Sequence, residues 1–182
     1  MRRILRLLIR SLLAIVGVAL VAIAVVDLTV VQPLLLSARA AVAAASPGER
    51  SPPESIARVL RSAYGKEIRF SAARILVNQS PPYPQPRSQL RRQFVELAIG
   101  VLIPLHLSQA EITTLVLAQT SMGPDVHGFN SASVRYFGVP LERASAVEAA
   151  TLVAISYAPL VYLSSPDRLA KRTQHLLSRS DE

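Results

Sequence analysis

The chain has 182 residues, of which 51% are hydrophobic, and a formal net charge of +8 at neutral pH. Its length predicts one folded domain in addition to any N-terminal targeting segment. The absence of cysteine excludes a disulfide framework and thiol chemistry, and it fits an exported domain that uses no disulfides. Few aromatic residues and no RNP-like or helix-turn-helix pattern argue against nucleic acid as the partner of the positive charge.

The N-terminus is predicted to be a membrane anchor. From Ser11 to Ser37 the only charged residue is Asp27, and this run exceeds the roughly 20 apolar residues that cross a bilayer as a helix. We therefore predict a transmembrane signal-anchor at residues 11–36, with Pro33 ending the helix near the outer surface. Residues 1–10 contain four arginines, which favour a cytoplasmic basic flank and an exported domain.

Alternatives remain open both for the fate of the N-terminal segment and for the partner of the positive charge. The small residues of "SARAAVAAAS" also suit signal-peptide cleavage, although the apolar run is longer than the usual h-region of about 7–15 residues. The basic surface beyond the anchor favours anionic lipid headgroups or pyrophosphate-lipid substrates. A solvated, arginine-rich surface with no such partner explains the same charge.

Residues 37–54 are predicted to be a linker or a frayed helix, and residues 55–182 a helical domain. "SIARVLRSAYG" has the apolar spacing of a helix with Gly65 as its C-cap. "IRFSAARILVN" is ambiguous between strand and helix, and we favour helix. "QSPPYPQPRS" has four prolines in ten residues, which predicts an exposed loop or polyproline segment.

The remaining chain is predicted to form consecutive helices. "LRRQFVELAIGVLI" runs up to Pro104, which cannot continue a helix without losing a hydrogen bond. Capping boxes at Ser108–Glu111 and Ser145–Glu148 start two further helices, and Ser165-Pro166 starts the last. Because no alternating strand pattern follows Asn78, the predicted class is all-α.

Residues suited to chemistry are few. Asp125 and His127 share one loop and form only a weak candidate for a metal site, so we predict no metal. The chain has neither an H-E-x-x-H nor a G-x-S-x-G motif. Glu96 lies four residues after Arg92 on a helical stretch, within ion-pair reach. On spacing alone, this pair is explained as a surface ion pair.

Residues 131–172 form the most patterned stretch of the chain. Its characteristic residues are Ala132, Tyr136, Phe137, Gly138, Glu148, Ala149, Ala150, Leu152, Ala154, Ala158, Pro159, Tyr162, Pro166, Ala170 and Arg172. In these residues the stretch resembles the C-terminal part of the family 51 glycosyltransferases, the peptidoglycan transglycosylases. The resemblance extends upstream through "QFVELAIG", so that Glu96 takes the position of the second active-site glutamate, and "SAARILVN", so that Asn78 takes the position of an asparagine. It implies an all-α, compact, lysozyme-like domain.

The resemblance implies Glu96 as a catalytic residue and Asn78 as a substrate-binding residue, and Arg92 and Arg74 are further candidates for substrate binding. It also shows departures from the family. The family's base lies in an E-D-x-x-F-x-x-H-x-G motif after the anchor, and this motif is missing. The only carboxylates between anchor and Glu96 are Glu49, Glu54 and Glu67. Other family positions hold Val77, Gln93, Pro104, Thr114, Val116, Leu117 and Ala118.

Three hypotheses follow. The first is a membrane-anchored, catalytically degenerate transglycosylase-like protein that binds or regulates near cell-wall synthesis. The second is an active, divergent enzyme that polymerises lipid-linked disaccharide-peptide with Glu96 and a replacement base such as Glu67. The third is a helical structural protein of the envelope.

The predicted partners are the membrane and either the lipid-linked precursor or a cell-wall synthase. No cofactor is predicted, except Mg or Mn if the chain is active. The predicted location is the bacterial inner membrane, with a single span and the domain in the periplasm.

Overall fold

The computed structural model describes residues 2–79 and 88–180, apart from the side chains of residues 2–8 and 66. Helices make up most of the described residues and one small hairpin is the only sheet among them, which confirms the predicted class. Most of the proline-rich loop predicted at 79–88 lies outside the described residues. The α-helices are α1 Arg2–Val26, α2 Gln32–Ala44, α3 Pro47–Arg50, α4 Glu54–Tyr64, α5 Ile68–Gln79, α6 Gln89–Leu102, α7 Gln109–Gln119, α8 Phe129–Phe137, α9 Ala146–Tyr157, α10 Pro159–Leu163 and α11 Pro166–Ser180.

Short helices of other types connect these elements. A π-helix at Asp27–Val31 joins α1 to α2. The 3₁₀-helices lie at Gly65–Glu67, Ile103–Leu105 and Leu141–Arg143. Strands β1 Ser121–Gly123 and β2 Val126–His127 pair antiparallel between α7 and α8. Strands of two and three residues are too short to show an alternating pattern, which explains why no strand was predicted there.

The N-terminal helix is longer than predicted. Residues Ile9–Ala44 form one helical segment of 36 residues that is long and apolar enough to span a membrane. The prediction that Pro33 ends this helix is wrong. The π-helical turn directly precedes Pro33, which occupies the first turn of α2. A proline is tolerated there because its missing N–H has no required partner in a first turn.

The segment 37–54, predicted to be a linker or a frayed helix, contains the second half of α2 and the whole of α3. Leu34, Leu35 and Ala38 are buried in the core of the domain. Ser46 and Glu49 form a capping box at the start of α3. The alanine-rich sequence suits a helix because alanine has the highest helix propensity, and its small side chains allow α2 to pack closely against α7.

The predicted helix signals of the domain are confirmed. Ser108 and Ser145 cap α7 and α9, and Glu111 and Glu148 complete the two capping boxes. The hydrogen bonds from these serines lower the pKa of both carboxyls. Gly138 ends α8 in the left-handed conformation, with φ at 73°, which a side chain would oppose.

The buried residues form two cores. The first lies between α2, α5, α6 and α7 and contains, among others, Leu34, Leu76, Ile99 and Leu115. The second contains side chains of α4, α8, α9 and α11. Consecutive residues of α7 enter both cores, since Val116 belongs to the first and Leu117 to the second. Helix α7 therefore joins the two halves of the domain.

Candidate functional site

The structure brings the four predicted site residues together where α5 packs against α6. Arg92 and Glu96 lie one turn apart on α6, and Arg92 Nε donates to Glu96 Oε1 at 2.9 Å. Arg92 Nη2 also donates to Asn78 Oδ1 at 2.6 Å. Arg74 Nε lies 3.7 Å from Glu96 Oε2. We call Arg74, Asn78, Arg92 and Glu96 the arginine–glutamate cluster.

The electrostatics of the cluster limit what Glu96 can do. Its side chain is only 19% exposed, and each carboxylate oxygen faces a guanidinium. Both carboxylate oxygens are therefore already engaged by arginine side chains. A divalent cation does not fit between two guanidinium groups, because the cluster has one carboxylate and a net positive charge.

Close packing of α5 on α6 creates this arrangement. Gly100 of α6 lies against Phe70 of α5, and a Cβ at position 100 would stand 2.3 Å from the Phe70 ring. A side chain there would separate the helices. The glycine therefore allows the close approach that places Arg74 and Asn78 beside Glu96.

A cavity of about 290 Å³ adjoins the cluster and includes Arg74 in its wall. Glu67 and Phe70 also line this cavity. Tyr64 and Tyr157 stack on its other side, with ring centroids 5.1 Å apart. Burial raises the pKa of Tyr64 to about 12, against the effect of its hydrogen bond with Ser156. Among the described side chains, the wall of this cavity thus combines aromatic rings with the cation Arg74 and the carboxylate Glu67.

Tyr157 links this cavity to the patterned C-terminal segment. The guanidinium of Arg172 lies 4.9 Å from the centre of the Tyr157 ring, a cation–π contact. Burial raises the pKa of the Tyr157 hydroxyl, which donates to the carbonyl of Ala63. Arg172, one of the residues that support the resemblance, therefore holds α11 against α9.

A second cavity, of about 400 Å³, lies between α2, α5, α7 and the hairpin. Its polar lining residues are Ser37, Gln79, Gln119 and His127. His127 also lines a neighbouring cavity of about 270 Å³, and Glu49 is the carboxylate in that wall. No carboxylate is among the residues found lining the larger cavity within the described part of the chain.

Glu49 was not singled out by sequence reasoning, although S-x-x-E at Ser46–Glu49 is a capping-box signal. Its Oε2 accepts from the backbone N–H and hydroxyl of Ser46, at 3.0 and 2.9 Å. Its Oε1 accepts from the backbone N–H of Asn130 at 3.0 Å. Glu49 is buried, with 5% of the residue exposed. Its hydrogen bonds connect α3 to the start of α8.

The histidines form no metal cluster in the described part of the chain, where no group of three His, Cys, Asp or Glu side chains lies together. His106 instead contacts Asp27 of the π-helix, with Nε2 and Oδ1 2.6 Å apart. This contact spans 79 residues of sequence, so no local pattern predicts it.

Residues 72–181 match the transglycosylase family, and this range covers more than half of the chain. The chain belongs to that family. The resemblance inferred from the C-terminal segment is thereby confirmed, and the chain is a peptidoglycan glycosyltransferase-like protein. Family membership also implies a location in the cell envelope. No curated protein matches the chain.

The matched range separates the candidate residues into two groups. All four residues of the arginine–glutamate cluster lie inside it. The carboxylates Glu49, Glu54 and Glu67 lie before it. The transglycosylase match therefore includes Glu96 but none of the three upstream carboxylates.

Proposed function

We propose that this transglycosylase-family protein is a membrane-anchored module that binds lipid-linked peptidoglycan precursor without polymerising it. The main support is the state of Glu96, whose two carboxylate oxygens face Arg92 and Arg74. In the family that the chain resembles, a carboxylate base removes the proton from the acceptor hydroxyl, which then attacks a lipid pyrophosphate donor. In this chain the motif that contains that base is missing, and loss of such a base typically lowers the reaction rate by a factor of about 10² to 10⁴.

The interior of the fold supports loss of activity. Val77 takes the position of a family lysine, and its side chain is 4% exposed. The resemblance places an E-x-Y-L-N motif at residues 114–118, so that Thr114 takes the glutamate position, and Thr114 is 3% exposed. A charged side chain at these depths would need a partner to offset desolvation. Two charged positions of the family pattern are thus held by uncharged, buried side chains in this chain.

Retained binding is supported by the exposed arginines. The Arg74 side chain is 67% exposed and lines the adjoining cavity, and Arg92 is 38% exposed. Guanidinium groups bind phosphate oxygens in a bidentate manner. A pyrophosphate at the membrane surface would meet these two cations. We propose a single span with the domain in the periplasm, as the four arginines before residue 11 indicate.

The test combines a polymerisation assay with a binding assay on the full chain in detergent. Labelled lipid-linked disaccharide-peptide is supplied with Mg or Mn, and polymer formation and precursor retention are measured for the native chain, Glu96→Gln and Arg74→Gln. Arg61→Gln is the matched control, because Arg61 is equally exposed and forms an ion pair on α4 with Glu54.

We expect no polymer and measurable retention of precursor. Arg74→Gln should weaken retention about tenfold, the equivalent of one charge-assisted hydrogen bond of about 1.5 kcal/mol, while Arg61→Gln should not. Polymer formation that Glu96→Gln abolishes would contradict the proposal. Absence of both polymer and retention would favour a structural protein or one that contacts a cell-wall synthase.

A second candidate function is divergent catalysis with Glu67 as the replacement base. The observation that favours it is that Glu67 and Arg74 line the same cavity. In that case Glu67→Gln should abolish polymer formation, whereas Glu54→Gln, at an exposed site on the preceding helix, should not.

A further inference from the structure

The cavity of about 290 Å³ beside the arginine–glutamate cluster has one charge of each sign in its described wall. Glu67 directly precedes α5, Arg74 lies on α5, and both side chains are exposed. The proposed binding of pyrophosphate uses Arg74 but has no place for Glu67, because a carboxylate repels phosphate oxygens. Glu67 instead suits a ligand that carries a positive charge.

Helical geometry places the two charges on one side of α5. Arg74 follows Glu67 by seven positions, which is close to two turns at 3.6 residues per turn. At 1.5 Å per residue, their Cα atoms are about 10 Å apart. An extended peptide spans about 3.3–3.6 Å per residue, so about three residues cover this distance.

Two tyrosines form a fixed wall of the cavity. The rings of Tyr64 and Tyr157 stack with an angle of 7° between their planes. The Tyr157 hydroxyl donates to the carbonyl of Ala63 at 3.0 Å, and the Arg172 guanidinium lies over the Tyr157 ring. The hydroxyls of Tyr64 and Ser156 are 2.9 Å apart. Because these contacts hold the rings in place without a ligand, the wall is preformed, which lowers the entropic cost of binding.

The tyrosines add no negative charge to the wall. Burial raises the pKa of Tyr64 to about 12 and also raises the pKa of Tyr157, so both hydroxyls are neutral at pH 7. Among the described lining side chains, the charged ones are therefore Glu67 and Arg74. A ligand with one free amine and one free carboxylate is the charge complement of this wall.

We propose that the cavity binds a short peptide of about three residues, with a free amino group at Glu67 and a free carboxylate at Arg74. Arg74 contacts Glu96 through Nε, and its guanidinium has two further nitrogens that match a carboxylate in a bidentate manner. The peptide between the two ends packs along the tyrosine wall. The volume is at the lower end of the range of about 300–1,000 Å³ for ligand cavities, which suits a ligand of this size.

This inference deepens the proposed function, on which it rests for one possible source of the peptide. A peptide attached to the lipid-linked ligand and a free soluble peptide can both carry an amine and a carboxylate. The chemistry recognised by the cavity is the same in both cases.

The test titrates the full chain in detergent with three forms of trialanine, followed by ligand-observed NMR. The forms are free trialanine, N-acetylated trialanine, which lacks the amine, and trialanine amide, which lacks the carboxylate. The proteins are the native chain, Glu67→Gln, Arg74→Gln and, as the matched control, Glu54→Gln. Glu54 is an exposed carboxylate on the preceding helix, where it pairs with Arg61. Circular dichroism checks that each variant is folded.

We expect free trialanine to bind the native chain, and acetylation or amidation each to raise the dissociation constant about tenfold, through loss of one charge-assisted interaction. Acetylation should have no further effect in Glu67→Gln, and amidation none in Arg74→Gln, because the partner group is already missing. Glu54→Gln should bind all three forms as the native chain does. Absence of trialanine binding, equal binding of the three forms, or equal effects of acetylation in the native chain and in Glu67→Gln would each overturn the inference.

A competition arm with the labelled lipid-linked precursor separates the two sources of peptide. Displacement of the precursor by trialanine would support the precursor's own peptide as the ligand, whereas simultaneous binding would support a separate soluble peptide. Precursor retention without trialanine binding would overturn this inference and leave the proposed function standing. Trialanine binding without precursor retention would overturn the proposed function and leave the peptide site standing.

Discussion

Glu49 connects two parts of the chain that are far apart in sequence. Its carboxylate accepts hydrogen bonds from Ser46 in its own helix and from the backbone of Asn130, 81 residues later. The side chain is nearly inaccessible to solvent. A buried carboxylate with satisfied oxygens stabilises a fold, whereas removing it leaves the donors unpaired. In this chain the first carboxylate after the anchor therefore has a structural role.

Replacing Glu49 should test that role. Glu49→Ala should lower the free energy of unfolding by about 1.5–3 kcal/mol, the range for hydrogen bonds to a charged group. Thermal unfolding in detergent, followed by circular dichroism, measures the change. Glu54→Ala is the control, since the Glu54–Arg61 pair is exposed on both sides and such pairs contribute about 1 kcal/mol or less. Equal effects of the two substitutions would contradict the structural role of Glu49.

At the same scale, the sequence predicts only part of the arginine–glutamate cluster's geometry. The Arg92–Glu96 contact follows from helical spacing, because residues four apart share a face. The approach of Arg74 to Glu96 depends instead on how α5 crosses α6, which Gly100 and Phe70 determine. No local pattern encodes that crossing. For the same reason the Glu49–Asn130 contact was outside the reach of sequence reasoning.

At the scale of elements, helix starts were predictable and interruptions were not. The capping boxes at Ser108 and Ser145 are local signals, and both helices begin there. Pro33 is also a local signal, but its effect depends on the π-helical turn before it. That turn places Asp27 against His106, which follows the 3₁₀-helix Ile103–Leu105, and this contact depends on tertiary packing.

The Asp27–His106 contact should hold the anchor against the domain. Both side chains are only 19% exposed. Water therefore cannot fully replace the hydrogen bond if one partner is removed. With His106→Leu, we expect amide hydrogen exchange at residues 28–36 to be about tenfold faster, the equivalent of one lost hydrogen bond of about 1.5 kcal/mol. His175→Leu is the control, because His175 is exposed on α11. Unchanged exchange at residues 28–36 would show that the contact does not hold the anchor.

At the scale of the whole molecule, α7 decides whether the two cores act together. The first core uses Leu115 and Val116, and the second uses Leu117, so the helix has buried side chains on both sides. The capping box that starts α7 is visible in the sequence, but the burial of the helix in both cores is not. Two separate apolar faces require neighbours on both sides, and the identity of those neighbours is a property of the tertiary fold.

Because α7 is buried between the two cores, destabilising one core should also destabilise the other. Leu152 of α9 is fully buried in the second core, and Leu152→Ala should cost about 2–5 kcal/mol. If α7 couples the cores, hydrogen exchange should become faster in α5 and α6 as well as in α9, because all three then open in the same unfolding event. Val147→Ala, at an exposed position of α9, should change stability by no more than about 0.5 kcal/mol.

Faster exchange confined to α4, α9 and α11 would instead show that the second core opens alone. In that case the arginine–glutamate cluster, which lies on the first core, would keep its geometry while the second core opens.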